Sequence, residues 1–189
     1  MVLAEKKIPY TLREEDLSAP SPALLKVQPE GKVPVLIHHE HAISESSIIT
    51  QYLEERFPAF TPRYLPEDPL QRAQVRLLTL ACDTVLKPDL DLFKYEFDQK
   101  TEGEKADIIA RLRLTLTQWE VLLEKSDFLL GAEMTLADIH LFPFYRQLLR
   151  ARPTLASELF VFPRLERWLG RITGRPSFEQ IMKKTNLAV

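Results

Sequence analysis

The chain has 189 residues, enough for one or two small domains with a buried core. Its 27 acidic and 25 basic side chains leave a net charge of −2, with no electrostatic footprint for nucleic acid or an anionic membrane surface. No apolar run approaches about 18 residues and no signal-peptide pattern opens the chain, and the single cysteine, Cys82, excludes an internal disulfide and a cysteine-rich zinc site, so a cytoplasmic address is expected.

Met1 to Lys7 reads as the end of a helix, and Ile8 to Glu14 alternates in a way that predicts a strand. Ser21-Pro22 is a helix start, with serine at the cap and proline at the first helical position; this helix ends before Pro29. Val33 to His38 predicts a strand, His39-Glu40-His41 a turn, and Ala42-Ile43 a second short strand. From Ser46, the residues Ile48, Ile49, Tyr52, Leu53 and Phe57 fall on a helical stripe. Pro58, Pro62 and Pro66 then make a stiff linker, which separates an expected domain over 1–58 from an expected helical domain over 67–189. In the second half, Asp68-Pro69 starts a long helix running to about Phe97 with a bend near Pro88. Further helices are predicted from Glu104 to Lys125, from Thr135, from Pro163 to Ile172 and from Pro176 to near Lys184. Trp119 and Trp168 lie on apolar stripes and are expected in the core.

Several groups of residues carry possible chemistry. In Gly31-Lys32-Val33-Pro34-Val35-Leu36, a cis Val33–Pro34 bond would turn the Val33 backbone outward, free to pair with an extended peptide ligand; an ordinary edge-strand proline is the alternative. Ser44-Glu45-Ser46-Ser47 precedes a helix. Its serines suit either simple capping or the hold of a carboxylate at a helix start, with Glu45 taking an amino group. Thr135-Leu136-Ala137-Asp138 is a structural capping box, with Met134 and Ile139 at the staple positions. His38, His39 and His41 read as a solvated turn, and no metal site is expected. Cys82 reads as a packing thiol. Phe93, Tyr95 and Phe97 line a pocket or simply pack, and Arg76 and Asp83 face an interface, a ligand or solvent; the sequence leaves these open.

Leu3 to Tyr10, Pro29 to Leu36, Ile43 to Ile49 with Tyr52-Leu53-Glu54, and Met134 to Asp138 occur in an order that resembles the cytosolic glutathione transferases of bacterial type. The resemblance spans nearly the whole chain. It implies an α/β thioredoxin-like N-terminal domain followed by an all-α C-terminal domain, usually as a homodimer. It implies that Val33, before Pro34, pairs with the cysteinyl part of glutathione, that Glu45 and Ser46 hold the γ-glutamyl end, and that Lys32 lies near the glycyl carboxylate. Glutathione would be a co-substrate, with no further cofactor, and its thiolate would attack a small hydrophobic electrophile. The sequence departs from the family pattern at its start. Met1 falls where the middle of the family's first helix is expected, so the first strand and the loop with the thiol-activating Ser, Tyr or Cys have no counterpart in this sequence. The strands at Ile8 and Val33 would then lack a ladder partner between them. A longer native start, a rearranged sheet and a strand supplied by another chain are all compatible with this. So is a protein that keeps the fold as a non-catalytic binding or regulatory module. A smaller departure is Gln28, where the family often has asparagine.

Overall fold

Residues 1–183 are described by a computed structural model of the chain, whose backbone parts into two units, Met1–Arg63 and Tyr64–Val189, inside the proline-rich segment. The first unit contains α1 (Val2–Glu5), α2 (Pro22–Val27), β1 (Val35–His38), β2 (His41–Ser44) and α3 (Ser46–Arg56). Ser21 caps α2 by accepting the Leu24 N–H at 3.2 Å, and Pro22 sits at the first helical position, where a missing N–H costs nothing. The carboxylate of Glu15 in turn accepts the Ser21 N–H and hydroxyl. β1 and β2 form a two-stranded antiparallel hairpin in which Val35 pairs with Ser44 and His38 with His41. The turn is therefore His39-Glu40 alone, with His39 in the left-handed region at φ 54°, and His41 belongs to β2. The first strand begins at Val35 rather than Val33, because the cis Pro34 has no N–H to donate to a ladder.

The strand expected over Ile8 to Glu14 does not form. Alternation describes which side chains face inward, but a strand also needs a ladder partner. Among the described residues nothing pairs with 8–14, and β1 pairs only with β2. Ile8 is nonetheless buried, with Val2, Leu24, Ile49 and Leu53, in a small core. Ile48, expected on the buried stripe of α3, is exposed.

The second unit is helical. Asp68 caps α4 (Pro69–Ala81) by accepting the Gln71 N–H at 2.8 Å. The expected long helix continues through a π-helical turn at Cys82–Leu86, α5 (Lys87–Asp91), a second π-helical turn at Leu92–Glu96 and a 3-10 turn at Phe97–Gln99. Pro88 offers no N–H to the carbonyl four residues back, and the widened turn immediately before it absorbs that gap. Then come α6 (Glu102–Leu122), α7 (Leu136–Ala151), α8 (Pro153–Leu159), α9 (Pro163–Thr173) and α10 (Pro176–Met182). The last helix was expected to reach about Lys184, which lies outside the described residues. α8 is a helix the sequence reading lacks. A capping box that it also lacks, Thr101 with Glu104, starts α6. The core gathers Leu112, Leu116 and Trp119 of α6, Leu141, Tyr145 and Leu148 of α7, and Leu165, Trp168 and Ile172 of α9. Glu120 of α6 accepts the N–H groups of Arg164 and Leu165 at 3.0 and 2.8 Å and so caps the start of α9 from outside it. Arg111 grips Asp89 with two nitrogens, and Arg152 grips Asp98 while also donating to the Phe93 carbonyl. No helix among the described residues is long and apolar enough to cross a membrane.

Candidate functional site

The hairpin register gathers the N-terminal candidates. Val35 lies opposite Ser44, so the residues just beyond them, Pro34 and Val33 on one side and Glu45 and Ser46 on the other, meet at the open end of the hairpin. Lys32 is near enough to feel the charge of Glu45. Positions that are distant in the sequence thus converge through one pairing.

Each residue there has an identifiable local cause. Gly31 has φ +67°, and a Cβ at that position would sit 3.0 Å from Cγ of Pro20, so only glycine fits the bend into Lys32. Gln28 fixes that bend further: its carbonyl accepts the Gly31 N–H at 2.9 Å and its side-chain Oε1 accepts the Lys32 N–H at 3.0 Å. The departure at Gln28 therefore keeps a side-chain acceptor at this turn. The Val33–Pro34 bond is cis, Val33 is 46% exposed, and its backbone makes no hydrogen bond among the described residues. Lys32 and Glu30 form an exposed ion pair; the carboxylate raises the lysine's pKa from its ordinary value, and the lysine lowers that of Glu30.

Simple serine capping, one of the two readings of Ser44 to Ser47, is not what starts α3. The cap residue is Glu45, with φ 65°, and among the described residues no side chain caps the helix. Ser46 is the first helical residue and is half-buried. The leading N–H groups of an 11-residue helix are thus left without a side-chain acceptor, in the field of the helix dipole. Helix starts of this kind suit an anion in general, and Ser46 is the residue that opens the helix there. At the far end of the hairpin, His38 bonds to the Tyr52 hydroxyl of α3, which ties strand to helix. Burial and the neighbouring cations lower the His38 pKa.

In the second unit, Asp138 is fully buried and accepts four hydrogen bonds. Oδ2 takes the Thr135 N–H at 2.8 Å and the Thr135 hydroxyl at 2.9 Å, and Oδ1 takes the Leu129 N–H and the Trp168 Nε1–H at 2.9 Å each. The capping box the sequence contains is therefore also a hub that joins α7, α9 and the loop before α7. Phe93 and Phe97 are buried and stack edge-on, while Tyr95 is 64% exposed, so the three aromatics do not share one environment. Asp83 lies 3.0 Å from Nε2 of His140. Cys82 is fully buried; desolvation pushes its thiol well above the ordinary range, and the adjacent Asp83 carboxylate adds in the same direction. A raised thiol pKa means a neutral sulfur at pH 8, so Cys82 in the native protein should resist iodoacetamide at that pH and react fully once denatured. Rapid labelling of the native protein would contradict this placement.

Comparison with known proteins gives a consistent result. The family model for the glutathione S-transferase N-terminal domain matches residues 1–63, and that for the glutathione S-transferase C-terminal domain matches residues 87–185. The chain is 36% identical over 154 residues to a probable glutathione S-transferase, parC, of Nicotiana tabacum, covering 77% of this chain and 64% of that protein. It is 32% identical over 143 residues to a stringent starvation protein A homolog of Haemophilus influenzae, covering 76% of this chain and 65% of that one. These matches span less than two thirds of the length of either relative. Among solved structures, the Tau class glutathione S-transferase of mango aligns with a TM-score of 0.83 at 28% identity, over 97% of this chain and 86% of that one. The fold is accordingly a thioredoxin-like domain followed by an all-α domain, with a two-stranded sheet in the first.

Proposed function

The chain belongs to the glutathione S-transferase family, and from that premise we propose that it binds glutathione at the open end of the hairpin and conjugates it to a small hydrophobic electrophile. The observation that carries this reading is the meeting of an unpaired Val33 backbone with the uncapped start of α3. The extended cysteinyl part of glutathione pairs with the Val33 N–H and C=O. The γ-glutamyl carboxylate sits on the first N–H groups of α3 and the Ser46 hydroxyl, and its ammonium faces Glu45. Lys32 is close to the glycyl carboxylate and exchanges part of its pairing with Glu30 for it. The thiol gives up its proton to solvent, and the resulting thiolate forms the new bond to the electrophilic carbon while the leaving group departs with its electron pair. Cys82 has no part in this, since it is buried and neutral. Replacing Ser46 by alanine removes one hydrogen bond to a charged group, so glutathione affinity measured by calorimetry should fall by about 1–3 kcal/mol. Unchanged affinity would remove Ser46 from the site.

The same reading takes the protein as a cytoplasmic homodimer that detoxifies electrophiles. Support for self-association comes from α4, where Leu70, Leu77 and Leu80 recur on one helical face and are 69%, 64% and 57% exposed.

A second reading is a binding or regulatory module that keeps the fold without the transfer chemistry; what favours it is the similarity to the stringent starvation protein A homolog, whose name carries no transferase activity. Glu45 and Ser46 weigh against it, because such a module has no need of a site for an amino-acid end. Turnover of a chloronitrobenzene with glutathione would exclude it.

A further inference from the structure

A concavity in the second unit, about 460 Å³ in volume, is lined by α9 and by the end of α6 with the loop after it. Arg164, Arg167 and Arg171 recur at spacings of three and four on α9, which sets three guanidinium groups along one face. Lys125 joins them from the loop. Against these four cations stand Glu124 and Asp127, so the lining carries an excess of two positive charges on a chain whose net charge is −2.

The internal pairing does not use up this charge. Arg171 binds Asp127 at 2.7 Å. Arg164 has only loose contacts, 3.6 Å to Glu120 and 3.9 Å to Glu124, and the Glu120 carboxylate is already occupied by the two N–H groups at the start of α9. Lys125 and Arg167 form no ion pair among the described residues. The wall behind the arginines is fixed: Trp168, also in the lining, is buried and donates to Asp138. A preformed concavity with forked donors on a rigid support is what recognition of a small oxyanion requires.

We propose that this concavity binds a small molecule bearing two or more oxyanion groups, of which a diphosphate is the simplest. Arg167 and Lys125 bind it directly, and Arg164 turns its unused nitrogens to it. The site lies wholly within the helical unit and is independent of the glutathione reading. Inorganic pyrophosphate, titrated into the full chain by calorimetry at fixed ionic strength, should bind saturably at one site. Arg167→Gln should weaken it about tenfold, the scale of one charge-assisted hydrogen bond, and Lys125→Gln should weaken it severalfold. Neither side chain makes an ion pair among the described residues, so both variants should fold normally, with unchanged tryptophan fluorescence. Arg113→Gln, an exposed change on α6 away from the lining, should leave binding intact. Absence of saturable binding to the unaltered protein, or an equal loss with Arg113→Gln, would overturn the proposal.

Discussion

Asp138→Ala should remove about 3–5 kcal/mol of stability, a large share of the roughly 5–15 kcal/mol typical of a domain. The change strands three N–H donors at once, those of Leu129, Thr135 and the Trp168 indole, all in residues that are buried. Each stranded donor costs about 1–3 kcal/mol, and because they share one acceptor group the losses combine less than additively. Burial pushes the Asp138 carboxyl above its ordinary pKa while the four donors pull the other way. Asp138→Asn separates hydrogen bonding from charge. Its carbonyl oxygen still accepts from Leu129 and Trp168, whereas its amide nitrogen faces the Thr135 N–H, donor against donor. The asparagine variant should therefore fall between the native protein and the alanine variant. Urea unfolding followed by tryptophan fluorescence reads this directly, since Trp119 and Trp168 both belong to the helical unit. An alanine variant within about 1 kcal/mol of the native protein would mean that water replaces the carboxylate at little cost.

Some elements are legible in the sequence because their signals are local. Asp68-Pro69, Thr135 with Asp138, and Pro163 and Pro176 at first helical positions mark starts that depend on a few adjacent residues. Thr101 with Glu104 is a signal of the same kind, present but not read. Residues 8–14 mislead because alternation carries no information about a ladder partner. The π-helical turns around Pro88 are likewise hidden: the proline is visible, but how the hydrogen-bond ladder adapts to it is not. At the candidate site, the residue types suggest the chemistry, yet the left-handed backbone of Glu45 and the absence of a serine cap belong to the packed chain. The arginine stripe of α9 can be read from its spacing, whereas the opposing loop that makes it concave cannot.

Lys6→Met should destabilise the first unit by about 3–5 kcal/mol, the cost of breaking a buried ion pair from one side. Lys6 is 2% exposed; its ammonium lies 3.0 Å from the Glu54 carboxylate and donates to the Pro62 carbonyl at 3.1 Å. One side chain thus joins the residue after α1, the C-terminal end of α3 and the proline-rich segment. Methionine matches the length of the stem but supplies no charge, so Glu54, itself 2% exposed, is left buried without this cation. The small core of this unit has little reserve against such a loss. Both tryptophans lie in the other unit, so the readout is hydrogen exchange of the α3 amides rather than fluorescence. Lys6→Met combined with Glu54→Leu replaces the pair by apolar groups and should recover much of the lost protection, because the buried charge is gone along with its partner. Ser46 begins the helix that carries Glu54, so glutathione affinity should follow the same order, lower in the single variant and partly restored in the double. If the double variant is less protected than the single one, Glu54 stabilises α3 by contacts other than Lys6, and the ion pair is not what holds that helix in place.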